Sequence, residues 1–117
     1  MSHPHQYSAG VQRVVDALDA GVTPDRITLR DAVRELLGVL AARAPGRSVE
    51  VRVPPYGAIQ CVEGPRHTRG TPPNVVETDP ITWVQLATGR KAWSDATREG
   101  KIHASGVRAD LSAYVPL

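Results

Sequence analysis

Helical apolar spacing at the start, strict alternation in the middle and further helices set between later strands predict an α+β fold with a mixed sheet of four to five strands covered by helices. Two observations mark the switch. Leu29, Val33, Leu36, Leu37 and Leu40 repeat at helical spacing, whereas Val49, Val51 and Val53 alternate with Ser48, Glu50 and Arg52. A third is the pair of glycine-closed helical stretches between residues 80 and 100, which separate the last two strands. At 117 residues the chain has room for one core, and with no Phe that core is built from small side chains.

Val11, Val14, Val15 and Leu18 keep one face apolar, with Ser8 as a cap and Gly21 as a stop, so residues 1–24 are read as a short helical extension. Thr23-Pro24 offers a cap with a first-turn proline, and Thr28 with Asp31 a variant capping box, so the second helix starts within residues 24–29. Its leucine stripe is a core face; Arg30, Arg34 and Glu35 point away, and Ala44-Pro45-Gly46 ends it. Residues 25–117 form the main domain.

The first strand covers residues 48–53. Pro54-Pro55-Tyr56-Gly57 turns the chain, and Ala58 to Glu63 returns as a second strand in an antiparallel hairpin. Gly64 to Pro73 holds three prolines and two glycines, which no regular element accommodates; Asn74 to Thr78 reads as a third strand. Asp79 caps a helix with Pro80 in its first turn, closed by Gly89. A second short helix, about Ala92 to Glu99, sets Ala92, Trp93 and Ala96 on one side. Lys101 to Gly106 is the last strand, and the two intervening helices allow it to run parallel to the third. Leu111, Tyr114, Val115 and Leu117 let the tail fold back on the body.

Charge excludes some functions. Fourteen Lys and Arg oppose 12 Asp and Glu, spread along the chain without a cluster, so nucleic-acid binding is not expected. The longest apolar run, Leu36 to Ala42, is about a third of a membrane span. No secretory leader opens the sequence, and the lone Cys61 fits a reducing compartment, so a cytoplasmic protein without integral membrane association is expected.

Residues 78–106, TDPITWVQLATGRKAWSDATREGKIHASG, resemble the C-terminal signature of sterol carrier protein domains. The matching positions are Asp79, Trp83, Leu86, Gly89, Ala96, Gly100, Lys101, Ile102 and Gly106. The wider segment resembles a bacterial, actinobacterial branch of that family, related to the C-terminal domain of mycothiol-dependent maleylpyruvate isomerase-like proteins. The resemblance covers roughly residues 27–117. It implies an apolar site between sheet and helices around Trp83, Leu86, Trp93, Ile102, Leu111, Tyr114 and Leu117. Sterol carrier domains usually have five strands; four are found here, so a smaller pocket is expected.

No catalytic machinery is legible. His3, His5, His67 and His103 lack ligand spacing for a metal, no GxSxG motif is present, and Glu50, Glu63 and Glu77 fall on different strands. Neither a cofactor nor a self-contained enzyme is expected. The most unusual local chemistry is Arg66, His67 and Arg69 within a proline-stiffened loop, suited to an anion or a protein partner, or else simply solvated. The expectation is a non-enzymatic domain binding an apolar or amphipathic, lipid-like molecule in a modest pocket. Two alternatives stay open: an accessory protein-interaction module without a cavity, and a partner domain of a thiol-dependent isomerase or transferase.

Overall fold

The computed structural model describes residues 7–64 and 74–117. Helix α1, Ala9–Asp19, begins at the expected cap, where Ser8 Oγ accepts the Val11 N–H at 3.2 Å. Val11, Val14 and Val15 are fully buried and join the same apolar cluster as the rest of the chain. The far end of α1 is tied down as well: Arg90 donates from Nε and Nη2 to the two carboxylate oxygens of Asp19, at 3.2 and 3.1 Å. The Tyr7 hydroxyl donates to the Thr88 carbonyl at 3.3 Å.

Helix α2 spans Arg26–Arg43, and its cap is neither Thr23 nor a Thr28–Asp31 box but Asp25. One carboxylate oxygen of Asp25 accepts both the backbone N–H and the hydroxyl of Thr28, each at 2.9 Å. These bonds, the backbone one foremost, hold the Asp25 carboxyl below its usual range. Pro24 therefore lies outside the helix, where its side chain is buried. The stripe faces as predicted: Leu29, Val33, Leu36, Leu37 and Leu40 are all buried.

Four strands follow among the described residues, β1 (Val49–Val53), β2 (Gly57–Cys61), β3 (Asn74–Thr78) and β4 (Ile102–Ser105), in the order β2-β1-β3-β4. The β1–β2 hairpin is antiparallel as expected, with Val51 opposite Ile59. Strand β2 is shorter than predicted because Val62 takes φ of 65° and leaves the ladder. That left-handed residue is clasped on both sides: its N–H donates to the Ala44 carbonyl at 2.7 Å, and its carbonyl accepts from the Ser48 N–H at 3.1 Å and the Ser48 hydroxyl at 2.7 Å. Gly46 closes against the same carbonyl so tightly that a Cβ would come within 2.1 Å of it.

The parallel pair is not where the connections suggested. β3 and β4 run antiparallel, with Thr78 opposite Ile102, and the parallel neighbours are β1 and β3. Helices α3 (Pro80–Ala87) and α4 (Trp93–Arg98) together bring the chain back to the end of the sheet it left, and the Thr78 hydroxyl donates to the Lys101 carbonyl at 2.8 Å. A single crossover helix would have delivered it to the opposite end. Helix α4 is also shorter than expected. Ala92 caps it from an extended conformation and is exposed, so it does not share the buried side of Ala96.

The helices cover one face of the sheet. Val49, Val51, Val53 and Val76 are at most 2% exposed on that side, whereas Glu50, Arg52, Val75 and Glu77 point the other way and are half-buried.

Candidate functional site

Helix α3 brings the central residue of the predicted site into the core. Asp79 Oδ1 accepts the Thr82 N–H at 2.9 Å and Oδ2 the Thr82 hydroxyl at 2.7 Å, while Pro80 supplies the preset backbone of the first turn. This places Trp83, Val84 and Ala87 in the main apolar cluster, with α3 packed against α2. The tail closes over the end of α3: the Leu117 N–H donates to the Ala87 carbonyl at 2.9 Å.

Of the residues read as an apolar site, Trp83, Leu111 and Leu117 meet in the main cluster, with Trp93 and Ile102 half-buried at its margin. Leu86 is buried but stands outside that cluster, and Tyr114 points outward at 37% exposure. Trp83, Leu86 and Leu111 are each 1% exposed, so their side chains occupy the interior instead of facing an opening. One atom there is anomalous. The Trp83 indole Nε1–H is fully buried and has no hydrogen-bond partner among the described residues. A buried donor left this way costs roughly 1–3 kcal/mol relative to a paired one.

The Arg66, His67 and Arg69 loop lies outside the described residues, as do His3 and His5. His103 is exposed on β4 opposite Glu77. Among the described residues no group of three His, Cys, Asp or Glu side chains could hold a metal ion. Glu50 and Glu77, which sequence placed on separate strands, share the uncovered face with Arg52 between them. Arg52 Nε donates to Glu50 and lies opposite Glu77 in the β1–β3 register. The Glu50 bond and both negative charges hold the Arg52 guanidinium above its ordinary range. Burial alone pushes the Cys61 thiol up to about 11, which keeps it protonated and unreactive near neutrality.

Clefts on the uncovered side beside β4 were not predicted. One, of about 260 Å³, sits at the end of the sheet between Pro54, Glu77, Lys101 and His103; the other, of about 450 Å³, runs along β4 past Val75 and Ser105. A third, of about 300 Å³, opens between α1 and α2, with Val14, Ala17 and Pro24 as its apolar floor. Alternation in β1 and β3 could have put Glu50, Arg52 and Glu77 on one face, but only the strand register brings them together with His103.

The family model for the "Bacterial SCP ortholog" matches residues 25–117. The chain belongs to this bacterial sterol carrier protein family. A comparison with curated proteins finds no match. The sterol-carrier-like match begins at the Asp25 cap of α2, leaving α1 outside it although α1 packs into the same core. No helix among the described residues is long and apolar enough to cross a membrane.

Proposed function

We propose that this sterol-carrier-like protein is a non-enzymatic carrier of an apolar or amphipathic small molecule, held between sheet and helices with the Trp83 indole as its polar anchor. Family membership supports lipid binding in general terms. The observation that carries the finer reading is the orphan Trp83 Nε1–H in an otherwise apolar interior. A ligand that is apolar along its length and carries one hydroxyl, carbonyl or carboxylate oxygen supplies the missing acceptor while burying its own surface. Because Leu111 and Leu117 share the buried cluster with Trp83, the ligand takes the place of the tail, which is tied to α3 through the Leu117–Ala87 bond. The absence of Phe keeps the volume released by the tail small.

Two features support a role without catalysis: the Glu50 carboxylate on the open sheet face is bonded to Arg52, and the Cys61 thiol is buried and protonated. A cytoplasmic site of action belongs to the same reading.

A specific observation favours a second reading, an accessory protein-interaction module: Trp83, Leu86 and Leu111 are each 1% exposed, so none of them lines an open cavity mouth. Trp emission separates the two. In Trp93→Phe protein, Trp83 is the only indole left, and titration with fatty acids, sterols and acyl-CoA is expected to give a saturable change for at least one class. Trp83→Phe, measured by calorimetry, is expected to weaken that ligand about tenfold by removing the donor. Silence across the panel would remove the carrier reading and leave the interaction module.

A further inference from the structure

The last strand leaves the sheet with an edge that no other element covers among the described residues. Natural edge strands are blunted by short length, charge, proline, bulges or a covering element, and β4, at four residues, relies on the first of these. Ile102–Ser105 contains no proline and no Asp, Glu, Lys or Arg, and His103, Ala104 and Ser105 are all exposed. The opposite outermost strand differs: β2 is entered from Pro54-Pro55 and left through the kinked Val62, and α2 lies against it, with the Arg34 guanidinium donating to the Tyr56 carbonyl at 2.8 Å.

The apolar layer also stops short at β4. Val76 is 2% exposed, yet its cross-strand neighbour Ala104, on the same face, is open to solvent, since the six-residue α4 covers little of this strand. Just past the strand, Val107 is 99% exposed.

We propose that β4 is the contact through which two copies of this chain pair, antiparallel about Ala104, to make a continuous eight-stranded sheet. The strand is self-complementary in that register. Ala104 meets Ala104 of the second copy on the helix side and extends the row begun by Val51 and Val76. On the other side His103 lies opposite the Ser105 hydroxyl of the second copy, so no like charges face one another. Centring the pair on His103 would stack two imidazoles instead. Four residues per chain bury less than the roughly 1,000 Å² of a stable specific interface, so the dimer is weak and exchanges rapidly.

Sedimentation of the full chain over a roughly hundredfold concentration range, up to about 1 mM, tests this. A reversible monomer–dimer equilibrium is expected. Ala104→Lys, which sets two ammonium groups face to face on an exposed position, should weaken dimerisation at least about tenfold with the far-ultraviolet circular dichroism and melting midpoint unchanged. Ala104→Val, which keeps the register apolar, should leave or strengthen it. A monomer throughout the range overturns the proposal, and so does a dimer that Ala104→Lys leaves intact.

Discussion

The two faces of one sheet show how differently the same strands are used. On the helix side, β1 contributes three fully buried valines to the apolar cluster; on the other, Glu50 and Arg52 from the same five residues form a half-buried ion pair, with Glu77 opposite Arg52. Stability resides on the first face, where removing atoms leaves space that nothing refills. The second face tolerates change because water replaces whatever is lost. The polar groups follow the same division: the helix side buries the Trp83 N–H without an acceptor among the described residues, and the open side holds a cleft lined by Glu77, Lys101 and His103.

The largest effect is expected from Leu37→Ala, which empties a site on α2 that is 2% exposed and packs toward Gly57 of β2. A loss of about 3 kcal/mol in urea unfolding is expected. Asn74→Ala should cost about 2 kcal/mol, because this 3%-exposed side chain donates to the Ser48 carbonyl at 2.8 Å and accepts from the Arg108 N–H at 2.9 Å, joining the first strand to the tail. A smaller loss would mean that the sheet's polar margin is less dependent on Asn74 than its geometry indicates.

Cys61 gives a pH test of the buried face. Its thiol titrates at about 11 in the folded protein against an ordinary 9.0. Between those values the unfolded chain has released a proton that the folded chain keeps, so stability falls as pH rises through that window, by at most about 1.4 kcal/mol per pH unit. In Cys61→Val the slope due to this thiol should vanish, which paired unfolding curves at neutral and alkaline pH would reveal. The smallest effect belongs to the open face: Arg52→Ala should leave the melting midpoint nearly unmoved, since its pair with Glu50 lies on the solvent-facing side of the sheet and is only half-buried. A clear drop would break the contrast between the faces.

Much of the architecture was legible because local physics decides it. The leucine stripe of α2, the alternation of β1, the bounds of β3 and the Asp79–Pro80 start of α3 all agree with expectation. The start of α2 falls within the expected residues 24–29, but its cap was not singled out, because Thr23, Asp25 and Thr28 are all competent caps and the chain uses the carboxylate that reaches two donors of one residue. The end of β2 was missed because a β-branched residue with positive φ is disfavoured locally, by about 1–2 kcal/mol, and only the contacts of Ala44 and Ser48 hold Val62 there.

Sequence by itself determined which residues are helical, which alternate, and that the core would be small, since these depend on periodicity, capping and side-chain volume. It also carried the sterol-carrier-like pattern of Asp79, Gly89, Gly100 and Ile102. Only the tertiary structure decided that β4 returns antiparallel to β3, that Glu50, Arg52, Glu77 and His103 share one face, and that the Trp83 N–H ends without an acceptor among the described residues. Each of these depends on groups far apart in the chain meeting at a particular register, and nothing in a residue's neighbours along the sequence specifies which distant atoms it will meet.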